Sequence, residues 1–219
     1  MSGKNTEKTN KNLYADTFCL FMVGNIFGVL LEGIWCVIKN GKWETHTVTM
    51  FGPFCLIYGI GAALIYLLYT RLKKRNVFIK FIAVALCADV VEYACSCLID
   101  YCVHMKAWDY TNCALNLNGR ITLGMTVVWG VLGVIFMRFA APHCEKLFSK
   151  MHKRPFYIGI YLLSVLMAVN IAFTAVCITR WSQRHFGTAK PTAAGQFLDR
   201  HYPDEKMQNR FCEWSFLDN

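Results

Sequence analysis

Three acids in apolar surroundings are the groups of this chain that are most able to do chemistry. Glu32 lies in the segment GVLLEGIW, and Asp89 and Glu92 lie in ALCADVVEY. A carboxylate in hydrocarbon is unfavourable by several kcal/mol unless it is paired, hydrated or protonated, so each acid is a functional candidate. Arg120 stands directly before a later apolar segment. It is the base we expect to form a buried or half-buried ion pair with Glu32 or Glu92.

The acids of the ALCADVVEY segment begin a polar stripe. Asp89 and Glu92 are three residues apart, and Ser96 and Asp100 follow at steps of four, so a helix places all four on one side. Neighbouring carboxylates repel each other, which means that one of them needs a proton or a cationic partner. We expect Asp100, at the end of the stripe, to be an interfacial residue.

The stretch KAWDYTNCALNLNGRIT, residues 106–122, is a dense polar cluster between two apolar segments. Asn and Gly tolerate left-handed backbone, so the Asn118-Gly119 pair predicts a tight turn. Trp108 and Tyr110 fit two roles, as anchors at the membrane interface or as lining of a site. We predict that the stretch caps a polar site in the outer half of the membrane. The expected binding residues are Glu32, Tyr58, Asp89, Glu92, Trp108, Asp109, Tyr110, Asn116, Asn118 and Arg120.

Five apolar segments must position these residues. The chain is 55% hydrophobic and 17% charged, and each segment approaches the roughly 20 residues that cross a bilayer as a helix. This predicts an all-α polytopic membrane protein with about five transmembrane helices, and residues 47–55 are a candidate for a sixth hydrophobic element. We expect a disordered cytoplasmic arm at 1–15, a transmembrane domain at 16–178 and a polar tail at 179–219. The predicted spans are 16–38, 52–70, 77–101, 121–140 and 156–178.

The net charge of +9 is arranged for a membrane and not for nucleic acid. Lys and Arg concentrate in the N-terminal arm and in the loops after the second and fourth spans, which the positive-inside rule places in the cytoplasm. The N-terminus is therefore predicted to be cytoplasmic and residues 106–122 to lie outside. With five spans and a cytoplasmic N-terminus, the C-terminal tail is predicted to lie outside, although it is basic.

The sequence has no motif for nucleotide or metal chemistry. It contains no P-loop, no dinucleotide fingerprint and no nucleophile elbow, and its 11 Cys and 6 His show no metal-ligand spacing. We therefore predict no metal and no cofactor. The absence of a recognisable nucleophile–base pair makes an enzyme the less favoured interpretation.

Several motifs in a fixed order point to a family. GVLLEGIW, GPFCLIYGIGA, VVEY, KAWDY and NLNGRI, spread over residues 16–140, resemble the Putative ABC-transporter type IV family of CmpB-like permeases. The resemblance implies a multi-pass protein of a bacterial cytoplasmic membrane and an ATPase partner on a basic cytoplasmic loop. Three features depart from the family pattern. The region before the Gly-Pro motif reads HTVTMFGP and lacks the usual Arg-Gly, so a base is missing; Leu56 stands where a Pro is usual; and Asn170 is the nearest counterpart of an acid in the last span.

The leading hypothesis is a permease-like subunit that moves a small solute or lipid. One alternative is a membrane enzyme that acts on a lipid or its headgroup, and another is a sensor or scaffold that transports nothing. Gly24 and Gly28 form a GxxxG pattern, which suits either a packing face within the chain or a homo-oligomer contact. Membrane lipid is the other expected partner.

Overall fold

The computed structural model describes residues 2–43 and 47–217, and for residues 2–11 and 40 it describes the backbone alone. Helices dominate, which confirms the predicted all-α polytopic fold. The helices are α1 (Ser2–Asn40), α2 (Leu56–Leu72), α3 (Val77–Val103), α4 (Leu123–Ile135), α5 (Ala141–Met151), α6 (Arg154–His185), α7 (Ala193–His201) and α8 (Asp204–Arg210). Four strands are β1 (Met105–Lys106), β2 (Asn116–Leu117), β3 (Ile121–Thr122) and β4 (Ser215–Phe216).

Within residues 2–43 and 47–217, four helical segments are long and apolar enough to cross a membrane. They are Asn12–Lys39, Val77–Val103, Leu123–Met151 and Arg154–His185. The third joins α4 to α5 through a π-helical turn at Phe136–Ala140, so it runs well past the predicted end at residue 140. α2 is also apolar, but its 17 residues lie at the lower limit for a span. The predicted arm at 1–15 falls largely on residues whose side chains lie outside the described part of the chain.

The small-residue face of α1, formed by Gly24 and Gly28, packs against α2 of the same chain. A Cβ added at Gly24 would lie 2.6 Å from Ala62 Cβ, and one at Gly28 would lie 2.5 Å from the Tyr58 ring. Backbones can approach this closely only where the side chain is absent. Of the two interpretations that the sequence leaves open for Gly24 and Gly28, this supports the packing face within the chain, because α2 occupies that face.

Replacing Gly28 by Ala should therefore destabilise the protein. The added methyl group must displace the Tyr58 ring, and overpacking of this kind costs about 1–3 kcal/mol. Gly159→Ala is the matched control, since nothing lies within 4 Å of a Cβ at that helical position. Thermal unfolding in detergent measures both, and equal melting temperatures for the two variants would contradict the packing described here.

Contacts between the loops define two opposite ends of the structure. At the basic end, Lys73 Nζ lies 2.5 Å from Glu145 Oε1, and His152 Nε2 lies 2.7 Å from Asp16 Oδ1. At the opposite end, here called the loop end, residues 47–55 and 104–122 meet the C-terminal tail. The loops with most Lys and Arg therefore lie together, as the charge pattern predicted.

The tail packs tightly on the loop end. β4 pairs antiparallel with β1, with Met105 opposite Phe216. Met105, Met207 and Phe211 are buried in one apolar cluster, which also contains Trp181 of α6. The side chains of Arg180 and Arg184 both donate to Asp199 of α7, at 2.5–2.9 Å. A tail that is polar in composition thus has an apolar core of its own against α6.

Acid should loosen this tail. Hydrogen bonds from Arg180, and then from Arg184, lower the pKa of Asp199 to about 2, below its usual value of 3.8. Because the folded-state pKa is depressed, the contribution of Asp199 is present above pH 3.8 and is lost as the pH falls through 2. We expect pepsin to cleave residues 187–217 faster at pH 2 than at pH 4. Asp199→Asn should already be cleaved fast at pH 4, and a pH-independent cleavage rate in the wild type would contradict the ion pairs.

Residues 47–55, the candidate sixth element, form an irregular loop and not a helix. Asn170 of α6 holds this loop with two hydrogen bonds, from the Phe51 amide to Oδ1 at 3.2 Å and from Nδ2 to the Phe51 carbonyl at 2.8 Å. Thr174 accepts from the Met50 amide at 2.8 Å. Buried irregular backbone needs such partners, so these polar residues of α6 explain how the loop end is kept in place.

Candidate functional site

Glu32 and Tyr58 meet where α1 crosses α2. The Tyr58 hydroxyl donates to Glu32 Oε1 at 2.5 Å. Gly28 lies one helical turn before Glu32 and leaves the space that the Tyr58 ring fills. Both side chains are partly buried, so the hydrogen bond is shielded but the pair remains within reach of solvent.

Glu92 of α3 is the second acid, and Trp129 of α4 is its partner. Trp129 Nε1 donates to Glu92 Oε1 at 2.8 Å, and both residues are buried. The Trp129 ring also contacts the Tyr58 ring, with centroids 5.6 Å apart. Glu32, Tyr58, Trp129 and Glu92 therefore form a continuous series of contacts across four helices, which we call the acid–aromatic bridge.

Tyr110 brings residues 106–122 close to this bridge. Burial raises the pKa of the Tyr110 hydroxyl, and the charges of Glu92 and then Glu32 raise it further. Both acids thus act on the same phenol from below the loop. The contacts of the bridge thus bring together three predicted site residues, Glu32, Tyr58 and Glu92, and Tyr110 lies near enough for the charges of both acids to raise its pKa.

Asp89 lies one turn before Glu92 and has a different partner. The Thr126 hydroxyl lies 2.9 Å from both carboxylate oxygens of Asp89, and it is 3.1 Å from the Thr122 carbonyl. Thr126 and Trp129 are three residues apart on α4, so α3 and α4 meet along one polar line. Asp89 therefore belongs to the α3–α4 interface.

Arg120 pairs with Asp100, which corrects the expected partner. Arg120 Nη2 lies 2.5 Å from Asp100 Oδ2, and Nη1 donates to Ser96 Oγ at 3.0 Å. Glu32 and Glu92 form no ion pair with Arg120. Asp100 and Ser96 are the outermost members of the polar stripe on α3. The hairpin formed by β2 and β3 places Arg120 beside these two residues and not beside Glu92. The ion pair raises the pKa of Arg120, so its charge is fixed.

The other polar residues of the stretch build the loop itself. Asn118 and Gly119 have positive φ values of 55° and 68° and turn β2 into β3, which confirms the predicted tight turn. Trp108 Nε1 donates to the Arg120 carbonyl at 2.9 Å, and Asn118 Nδ2 donates to the Tyr93 hydroxyl at 3.0 Å. These contacts hold the hairpin on α3.

Asp109 and Asn116 also stabilise the loop. Asp109 accepts from Lys106 and from Thr111, which lowers the pKa of its carboxyl. Asn116 donates to the Thr111 and Cys113 carbonyls and accepts from the Gly119 amide. Their hydrogen-bond partners all lie within residues 106–122. These two predicted binding residues therefore stabilise the loop and are not part of the acid–aromatic bridge.

Breaking the Arg120 pair should have a modest effect. The two side chains are 22% and 34% exposed, and pairs of this kind contribute about 0.2–1 kcal/mol. We expect Asp100→Asn to lower the melting temperature slightly and the exchange Arg120→Asp with Asp100→Arg to restore part of the loss. Glu145→Gln, in the more exposed pair with Lys73, is the control. A larger coupling between Arg120 and Glu92 in a double-mutant cycle would contradict the observed pairing.

Sequence reasoning missed Trp129. A Trp within an apolar segment is typical of lipid contact or core packing, and only its spacing of three from Thr126 gives a signal. The position of Trp129 between Tyr58 and Glu92 indicates which chemical groups the site can bind. The carboxylate oxygens of Glu32 and Glu92 accept hydrogen bonds and attract cations, while the aromatic rings offer flat apolar surfaces. Within the described ranges, no group of three His, Cys, Asp or Glu side chains is placed to hold a metal ion.

Comparison with known proteins identifies a family. No curated protein and no solved structure matches the chain. Residues 19–175 match the family described as "Putative ABC-transporter type IV". The matched range covers most of the chain and includes all four residues of the acid–aromatic bridge and the whole of residues 106–122. The chain is therefore a membrane transport-related protein that belongs to the Putative ABC-transporter type IV family.

Proposed function

We propose that the chain is a permease-like subunit that binds a small solute or lipid headgroup at the acid–aromatic bridge. The observation that carries this proposal is the series of hydrogen bonds and a ring contact that runs from Glu32 through Tyr58 and Trp129 to Glu92. Two acids on separate helices accept hydrogen bonds, so the site favours a ligand with N–H or O–H donors or a positive charge.

The position of the bridge supports transport more than scaffolding. It joins four helices, so a ligand that separates Tyr58 from Trp129 would also change how α2 packs on α4. Tyr110 of the loop end lies near enough to the bridge for the charges of Glu92 and Glu32 to raise its pKa, and Glu32 is partly exposed. We place the loop end outside the cytoplasmic membrane and the N-terminus in the cytoplasm, in agreement with the distribution of Lys and Arg.

An ATPase partner would dock at the basic end. Lys146 and Lys150 are exposed on α5, Lys153 and Arg154 follow at the start of α6, and all four are exposed. The exposed Lys74 and Arg75 extend the surface. A partner with an acidic patch fits this charge.

Uptake into vesicles tests the transport role. We would screen amines, amino acids, sugars and lipid headgroups for thermal stabilisation of the purified protein and then measure uptake of each ligand by proteoliposomes with the co-purified ATPase. Glu32→Gln and Tyr58→Phe should reduce uptake at least tenfold, whereas Asp204→Asn, at a side chain that is 64% exposed, should not. Unchanged uptake in the first two variants would overturn the proposed site.

Co-purification tests the partner separately. Replacing Lys146 and Lys150 by Glu reverses the charge of the basic end and should release the ATPase. Replacing Lys190 and Lys206 of the tail by Glu should not release it. Equal retention by both variants would place the ATPase elsewhere. If no ATPase is recovered and no ligand is taken up, the chain is a sensor or scaffold.

A further inference from the structure

The carboxyl group of Glu92 has two oxygens in different situations. Oε1 accepts from Trp129 Nε1, but Oε2 is buried and has no hydrogen-bond partner among the described residues. The residue is only 5% exposed. A buried ionised oxygen without a partner is strongly unfavourable, so a group that the contacts above do not supply must satisfy Oε2.

The surroundings of Glu92 limit what that group can be. The residue lies at the edge of a cavity of about 20 Å³ between α2, α3 and α4. The cavity walls are otherwise apolar, with Ile57, Leu64, Val84 and Val91 among them. A buried water needs two to four polar partners, and this space offers a water little beyond the acid itself.

A basic side chain or a metal ion does not satisfy Glu92 Oε2 any better than a water molecule. No Lys or Arg of the described part of the chain forms an ion pair with Glu92, and Arg120 is engaged by Asp100. A metal ion would lack a ligand set, because among the described residues no group of three His, Cys, Asp or Glu side chains is placed to hold one. A proton removes the charge, and the neutral O–H group that it creates is far less unfavourable in apolar surroundings than a carboxylate.

We propose that Glu92 Oε2 is a proton-binding site, occupied while the residue faces the apolar cavity. Uptake breaks an O–H bond of a hydronium ion, forms the O–H bond at Oε2 and releases a water molecule. The resulting acid keeps its carbonyl oxygen, Oε1, as the acceptor for Trp129. Release is the reverse reaction and requires contact of Oε2 with water.

Arg120 reaches Ser96, one helical turn from Glu92, but its ion pair is with Asp100. The other titratable groups that the described residues place around Glu92 are acidic or neutral. Asp89 and Cys95 flank it on α3, Cys87 lines the same cavity, Tyr110 approaches from the loop, and Tyr58 with its partner Glu32 lies beyond the Trp129 ring. None of them neutralises a carboxylate. The proton site is independent of the nature of any transported solute, although it would couple transport to the proton gradient if the proposed function is correct.

Infrared spectroscopy of the purified protein tests the proton site without any transport assay. At pH 7 we expect a carbonyl band of a protonated carboxylic acid that Glu92→Gln abolishes. Glu145→Gln, at the acid paired with Lys73, is the control and should leave the band unchanged. A band that survives in Glu92→Gln overturns the proposal, whatever the outcome of the uptake measurements.

A second measurement does not depend on the folding of Glu92→Gln. Wild-type protein with ¹³C-labelled glutamate carboxyl groups separates glutamic from aspartic acid bands. A protonated glutamic acid band at pH 7 that Trp129→Phe shifts to higher frequency supports the site, because the carbonyl loses its hydrogen bond. The absence of any protonated glutamic acid band at pH 7 in the wild type overturns it.

Discussion

Replacing Trp129 by Phe is expected to destabilise the protein by about 1–3 kcal/mol, although the ring remains apolar and of similar shape. Trp129 is the donor to Glu92 Oε1, and in the part of the chain that the structure describes the other oxygen of that acid has no hydrogen-bond partner. The substitution leaves a buried carboxyl group without a hydrogen bond. Unfolding in mixed micelles, followed by circular dichroism, measures the loss.

The control for this prediction is Trp35→Phe, because Trp35 of α1 is 59% exposed. We expect that variant to be close to wild type. In the double variant Trp129→Phe with Glu92→Leu, most of the loss should be recovered, since removing both partners of a buried hydrogen bond is nearly neutral. Equal stability of Trp129→Phe and Trp35→Phe would show that the indole hydrogen bond contributes nothing.

Phe211→Ala should have the largest effect of any single substitution in the tail. The side chain is 1% exposed and stacks on Trp181 with ring centroids 6.3 Å apart. Truncating a buried Phe to Ala costs about 3–5 kcal/mol, which is a large part of the stability of a short segment. We expect the tail to detach from α6 and to become sensitive to neutral proteases within residues 187–217.

Phe197→Ala is the matched control in the same segment, because Phe197 is 53% exposed. It removes the same ring without leaving a cavity. Protease sensitivity that is equal in both variants, or unchanged in both, would mean that the apolar cluster around Met207 does not hold the tail.

The helices and the bridge acids could be predicted from the sequence because both leave local signals. A run of apolar residues of sufficient length specifies a membrane helix whatever its neighbours are. Glu32 and Glu92 stand out because charge in such a run is rare. The Asn118-Gly119 turn follows from backbone sterics alone.

The partners of these residues could not be predicted, since they depend on how helices rotate and pack. Sequence separation does not identify the acid that pairs with Arg120, and the level of α3 that the β2–β3 hairpin reaches selects Asp100. Gly24 and Gly28 fit any close helix, and α2 occupies the face they offer. Trp129 gains its role from the ring of Tyr58 and the acid of α3, which are distant in sequence.

The central claim is that Tyr58 and Trp129 join the two acids into one site. A double-mutant cycle of Tyr58→Leu and Trp129→Leu, measured as free energies of unfolding in mixed micelles, tests it most directly. Contact between the rings predicts a coupling energy of about 0.5–1.5 kcal/mol. Additivity within about 0.3–0.5 kcal/mol would mean that the two rings do not interact, and that Glu32 and Glu92 belong to separate sites.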